Sequence, residues 1–285
     1  DLPQLQIIFS SSSILDVYKG ESDLSRRAVT YTLKELSFRE YMLFYNNIEI
    51  PQFTLEQLIN THENISIEIA RQIKPLKYFS IYKKTGAYPF FIGDENEYYQ
   101  QLKNIINLIL EIDMPAVKSI DYTNITKFKR LLYVLAVNVP FTPNISRLSE
   151  KVGLSRNALV EALQLLNKAE LIHILYKQSK SISSLNKPDK IWLNNPNLNY
   201  ALGNGNPDEG NLRESFFISQ LNAIYPIALA EKGDFIVDNR FTFEVGGKNK
   251  TQSQIKDLRN AFIVKDNIET GVLNIIPLWL FGLLY

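Results

Sequence analysis

The sequence predicts a multidomain protein of mixed α/β class, and three observations carry that reading. β-prone runs stand near both ends: LQIIF (5–9) and AVTYTL (28–33), then DFIVD (234–238), FTFEV (241–245) and AFIVKD (261–266). Between them, residues 37–138 place apolar side chains at helical spacing, interrupted by Pro, Gly and Asp. Finally, ISRLSEKVGLSRNALVEALQLLNKAELIHILYK (145–177) spells out two helices, a tight turn and a strand.

Taken in order, the opening run, the segment 13–19 and the strand at 28–33 fit a strand, helix, strand piece of an open α/β sheet. Ser37 with Glu40 three residues on has the capping-box spacing, because a hydroxyl and a carboxylate can then satisfy each other's free backbone amides. Helical stretches follow near 54–73, 75–84, 95–112 and 123–138, and Pro115, Pro140 and Pro143 punctuate their end, since proline lacks an amide donor. Phe38, Tyr41, Phe44 and Tyr45, like Tyr78, Phe79 and Tyr82, recur at helical spacing and are read as core packing.

In the third region Leu148 and Val152 line one helix and Leu159, Leu163 and Leu166 the next. Gly153 permits the turn between them and Ser155 caps the second helix. LIHILYK (171–177) and KIWLNN (190–195) read as two strands joined by a basic loop, which turns the helix–turn–helix into a winged helix. Ser155, Arg156 and Asn157 open the recognition helix, where side chains reach base edges, while Lys177, Lys180, Lys187 and Lys190 flank or occupy the wing and can neutralise phosphates. Residues 116–190 hold 12 Lys/Arg against 5 Asp/Glu, although the whole chain is only +1. Double-stranded DNA is therefore a candidate partner, and a packing module with a solvated basic face is the alternative. The segment 194–210, rich in Asn, Gly and Pro, reads as a connection.

Beyond it, residues 210–224 read as a helix, 234–245 as a hairpin and 261–266 as a strand that follows a helix, the order of a small α/β domain. Asp234, Glu244 and Lys248, with Glu214 on the preceding helix, supply the residue types with which an acid and an acid-x-lysine pair hold Mg²⁺ and position water against a phosphodiester. The spacing departs from that chemistry. Glu244 and Lys248 are four residues apart with Gly246-Gly247 between, whereas two apart would put both on one strand face and a bulge would be needed to redirect the chain. A degenerate site retained for folding or binding is the alternative. The only histidines, His62 and His173, lie far apart, so a metal centre or a His-based triad is not expected.

Several of these segments in order bear a resemblance. IIFSSSSILDVYKGESDLSRRAVTYTLKELSFREYM (7–42), GAYPFF (86–91), GNLRES (210–215), FEVGGKNK (243–250) and IPLWLFGLLY (276–285) resemble bacterial AAA-type ATPases that carry a C-terminal domain with a restriction-endonuclease-like fold. The resemblance implies four parts: the end of an ATPase α/β core (1–46), a helical lid (47–138), the winged helix-turn-helix (139–195) and an endonuclease-like α/β domain (196–285). It also implies a sensor role for Ser12 and γ-phosphate contacts for Arg26 and Arg27, since a guanidinium can stabilise charge developing in phosphoryl transfer. Two departures stand out. The family's glycine before the sensor serine is Ser11, and G-x-x-x-x-G-K-[ST] is absent, its nearest approach being Gly246-Gly247-Lys248 followed by Asn249. With Asp1 and no initiator Met at the start, the chain is expected to be a fragment of a longer ATPase that binds ATP and Mg²⁺, with no cofactor expected on this part alone. A homo-oligomer and an unidentified protein remain among the expected partners.

Composition narrows the classes. With 45% hydrophobic residues the chain can bury a large core. It has no cysteine, which excludes disulfides and thiolate metal sites and suits the cytoplasm, the expected location. VLNIIPLWLFGLLY (272–285) falls short of the roughly 20 residues a membrane helix needs and is read as buried core, so no membrane is expected among the partners.

Overall fold

The computed structural model describes residues 29, 31–90, 93–117, 122–137, 143–177, 188–203, 207–251 and 254–285. The class is mixed α/β, with helices leading and two sheets following. The segment 1–28, which holds the expected ATPase strand and helix, lies outside the described residues.

Three helices open the described chain: α1 (Phe38–Asn46), α2 (Leu55–Gln72) and α3 (Pro75–Thr85). Both halves of the Ser37 capping box form, the Glu40 amide donating to Ser37 Oγ at 3.1 Å and the Ser37 amide to Glu40 Oε2 at 2.8 Å. Thr54 and Gln57 repeat the motif at α2, and Pro75 starts α3 where its missing amide costs nothing. Then come α4 (Glu95–Leu108), running through a π turn (Ile109–Asp113) into the short α5 (Met114–Val117), and α6 (Tyr122–Val137). Next are α7 (Ile145–Val152) and α8 (Arg156–Lys168), the hairpin strands β1 (Ile172–Leu175) and β2 (Lys190–Leu193), α9 (Pro196–Leu202) and α10 (Glu209–Asn222). The chain finishes with β3 (Ile227–Leu229), β4 (Phe235–Val237), β5 (Phe241–Gly246), β6 (Ala261–Lys265), β7 (Ile275–Pro277) and a buried 3-10 helix (Leu278–Leu283).

β1 and β2 pair antiparallel with His173 opposite Trp192. The second sheet has the order β3-β4-β5-β6-β7; its first three strands are an antiparallel meander, and β5, β6 and β7 run parallel. A parallel bridge between Lys177 and Leu229 stitches the end of the hairpin to the edge of that sheet.

Four expectations are corrected. Of the strand expected at 28–33, the described residues, Val29 and 31–33, lie in no strand, and Val29, Tyr31 and Leu33 are 76%, 89% and 97% exposed. The connection expected at 194–210 contains α9, which forms because Asn195 caps it and Pro196 presets its first turn. The described residues between β5 and β6 make turns and no helix. Phe44, expected in the core, is 63% exposed.

The apolar cores cut across the expected boundaries. One core joins Phe38, Leu58 and Phe79 of α1–α3 to Phe217 of α10, Phe243 of β5 and Phe281 of the terminal 3-10 helix. A second joins α4 and α6 to α7, α8, the β1–β2 hairpin and α9, and a small third holds Ile255, Ala261 and Ile263. Residues 47–138 thus serve both larger cores, α2 and α3 belonging to the first and α4 and α6 to the second. Edge-to-face rings hold the first core: Phe217 lies 4.9 Å from Phe281 and Phe79 4.7 Å from Phe216 between centroids.

Candidate functional site

Along β5 the side chains alternate. Phe243 and Val245 enter the large core, which puts Glu244 on the opposite face. That face is covered too, so Glu244 is fully buried, and a buried carboxylate needs a counter-charge. Lys250 supplies it as an ion pair, with Nζ 2.7 Å from Glu244 Oε1, while neither carboxylate oxygen has a hydrogen-bond partner. The lysine returns to the strand because residues 247–250 form a turn closed by the Lys250 amide on the Gly247 carbonyl at 2.9 Å. Gly246 makes the approach possible, since a Cβ there would stand 2.6 Å from Lys250 Cδ.

Asp234 stands just before β4. Its amide donates to the Phe243 carbonyl at 3.0 Å, and its Oδ2 accepts the Val245 amide at 2.8 Å. Glu214 reaches the same neighbourhood from α10, and its Oε2 accepts Trp192 Nε1 at 2.9 Å. Burial raises the Glu214 carboxyl above its ordinary range, and the Asp234 charge adds to that; Lys190, the Trp192 hydrogen bond and Lys250 pull it back. Burial opposes the charge on Lys250, but the pairing with Glu244 and the charges of Asp234, Glu244 and Glu214 outweigh it and leave the lysine above its ordinary range. Three acids and two cations, Lys190 and Lys250, thus share a field at the junction of the hairpin, α10 and the meander.

Lys248 is exposed in the turn, and the lysine that meets Glu244 is Lys250, two residues later. No bulge redirects the strand: β5 stays in register with β6 up to Gly246↔Lys265, and the turn beyond it does the redirecting. Trp192 and Lys190 were not anticipated as neighbours of the acids. Lys190, expected to flank or occupy the wing, begins β2, and its Nζ lies 5.7 Å from the centre of the Trp192 ring, half-buried beside Glu214. Among the described residues no group of three His, Cys, Asp or Glu side chains is close enough to hold a metal ion.

The helix–turn–helix presents a second surface. Gly153 takes the left-handed conformation at φ 77°, and its amide closes α7 on the Ser149 carbonyl at 2.8 Å. Ser155 Oγ accepts the Ala158 amide at 3.2 Å, which fixes the start of α8. Ser155, Arg156 and Asn157 are all exposed there, and Arg147, Lys151 and Lys168 lie exposed on the same two helices. Lys127 of α6 adds a further cation, its Cε 3.9 Å from where a Gly153 Cβ would stand. Glu150 and Glu161 are exposed on the same pair and dilute the basic field. Lys177 is exposed at the end of β1, its amide donating to Asp189 Oδ2 at 3.0 Å. Lys180, Lys187, Ser12, Arg26 and Arg27 lie outside the described residues.

His173 on β1 has a different fate. Its Nε2 is buried with no hydrogen-bond partner, and burial lowers the imidazole to about 4, the nearby Lys34 charge adding to the shift.

Residues 77–209 match a family model described as a domain of unknown function, DUF8612. The matched span starts inside α3 and ends at the first residue of α10, so it contains the second core and leaves out the five-stranded sheet. The chain is 26% identical over 195 residues to the uncharacterized protein MJ1637 of Methanocaldococcus jannaschii, an alignment covering 67% of this chain and 41% of that protein. The chain thus spans about two-fifths of the length of the curated relative it matches. No solved structure matches it. Among the described residues, no helix is long and apolar enough to cross a membrane.

Proposed function

We propose that the chain is the C-terminal part of an AAA-type ATPase, in which residues 143–193 act as a winged helix that docks on duplex DNA and residues 209–285 form an endonuclease-like unit whose acids are closed off by Lys250. The observation that carries the DNA reading is the exposed start of α8, where Arg156 and Asn157 follow a glycine-closed turn and an antiparallel hairpin follows the helix. Arg156 is free to meet a phosphate or a guanine edge, and Arg147, Lys151 and Lys127 flank it. Support for the ATPase reading comes from the motifs in 7–42. ATP and Mg²⁺ belong to the longer protein in this reading, and the chain described here should not hydrolyse ATP. A Mg-dependent nuclease is the weaker alternative; Asp234, Glu244 and Glu214 favour it by their proximity, and their engagement with Val245, Lys250 and Trp192 opposes it.

The test is a gel shift with duplex DNA at low salt. Arg156→Glu is expected to weaken binding about tenfold and to flatten its salt dependence, because a charge reversal removes one phosphate contact and adds a repulsion. Absence of any shift at low salt would remove the DNA reading. A longer form that carries a phosphate-binding loop should hydrolyse ATP, and failure to do so would remove the ATPase reading.

A further inference from the structure

A second charged cluster lies at the carboxyl ends of the parallel strands, beside the turn that carries Lys250. Asp266 directly follows β6 and is almost fully buried; its amide donates to the carbonyl of Gly246, the last residue of β5, at 2.9 Å. Its carboxylate is fully used: Oδ1 accepts the Asn267 amide at 2.8 Å, and Oδ2 takes Lys83 Nζ at 2.8 Å and faces Arg213 Nε at 3.4 Å. Two cations, with side chains 10% and 18% exposed, therefore share one buried carboxylate. The remaining acid, Glu209, is 59% exposed and 3.6 Å from Arg213 Nη2, too far for a hydrogen bond and open to screening.

Arg213 Nε is buried without a hydrogen-bond partner, and an unmet donor on a buried cation is costly. A Cβ on Gly247 would stand 3.5 Å from Cζ, 3.5 Å from Nη2 and 3.6 Å from Nη1 of Arg213. Near-equal distances to all three atoms put the face of the guanidinium under Gly247 and leave its Nη edge uncovered by the turn. We propose that Arg213 and Lys83, held by Asp266 beneath the Gly246–Gly247 turn, form a binding site for a phosphate group. A planar fork of donors beside a lysine, with only one of the two neighbouring acids buried, matches the oxygens of a phosphate ester, and the carboxyl ends of parallel strands are where open α/β sheets take their ligands. The site is independent of the winged-helix reading and of the acids around Glu244.

The group can arrive as inorganic phosphate or as the terminal phosphate of a nucleic acid strand. Titration calorimetry of the chain with inorganic phosphate, with a 5′-phosphorylated oligonucleotide and with its 5′-hydroxyl twin separates the two. Stoichiometric binding of phosphate is expected, weakened about tenfold or more in Arg213→Gln, since a charge-assisted contact of this kind is worth at least that factor. Glu209→Gln should tighten it, which a merely structural arginine would not do. Preference for the 5′-phosphorylated strand over both inorganic phosphate and the 5′-hydroxyl strand assigns the site to nucleic-acid ends; equal binding of phosphate and phosphorylated strand assigns it to the free anion. Should Arg213→Gln fail to fold by thermal melting, Gly247→Leu keeps every charge and covers the guanidinium, and the same loss is expected. No saturable phosphate binding, or binding unchanged in the folded variants among these two, overturns the proposal.

Discussion

Asp266→Ala is expected to lower the free energy of unfolding by about 3–5 kcal/mol, the usual cost of leaving buried charge uncompensated. The wild-type carboxylate ties three parts of the chain together, Lys83 on α3, Arg213 on α10 and the Asn267 amide beyond β6. Alanine removes the one buried anion and strands both cations where water reaches them poorly. Asp266→Asn keeps the volume and the acceptor for Asn267 but gives up the charge, so its loss should be smaller. Urea unfolding with an unchanged m-value would read both effects as native-state losses. A loss below about 1 kcal/mol, the range of exposed ion pairs, would mean that solvent screens the cluster more than its burial implies.

The second large effect depends on pH. His173 is lowered to about 4 in the folded chain, while an unfolded histidine titrates near 6.5. Between those values the unfolded chain binds more protons, so stability contributed by the neutral ring is present in full above about pH 6.5 and is lost as pH falls towards about 4. The shift corresponds to about 2–3 kcal/mol once the partial exposure of the ring is allowed for. Carboxyls raised by burial, Glu35 and Glu214, act in the opposite sense in overlapping ranges, so the wild type alone cannot isolate the histidine. The difference between wild type and His173→Phe can: the urea midpoint of the variant should fall less between pH 7 and pH 5. Parallel profiles would show that His173 protonates in the folded state without cost.

Much of the local structure is legible in the residues. The Ser37–Glu40 box, Gly153 in its left-handed turn, Ser155 at the head of α8 and the β4–β5 hairpin all follow from side chains acting on neighbours within a few positions. The same reasoning finds Glu214, Asp234 and Glu244. It does not find Lys250, because the choice between Lys248 and Lys250 depends on how the turn after Gly246 closes, which spacing does not encode. Trp192 and Lys190 are missed for a related reason: they come to Glu214 from a hairpin seventeen or more residues upstream of α10. α9 hides in the composition, its helix stabilised by an Asn cap and by buried partners. Asn197 alone donates to the carbonyls of Tyr82 and Lys83 and accepts the Ala87 amide, contacts over a hundred residues away in the chain. Where a segment owes its shape to such distant partners, a local pattern is silent.

The joining of the first three helices to the last strands bears on how the chain is made. Ser37 Oγ donates to the Tyr285 carbonyl at 2.7 Å, and Tyr285 hydroxyl donates back to the Glu35 carbonyl at 3.1 Å. On the ribosome, α1–α3 therefore emerge long before the sheet that will cover them, and their greasy faces must wait while some two hundred residues are translated at about 5–20 residues per second. The central block of α4 to α9 can close its own core in the meantime. That interval, on the order of ten seconds or more at those rates, is when a chaperone would be most needed, and when a nascent chain halted before β7 would be most prone to clump.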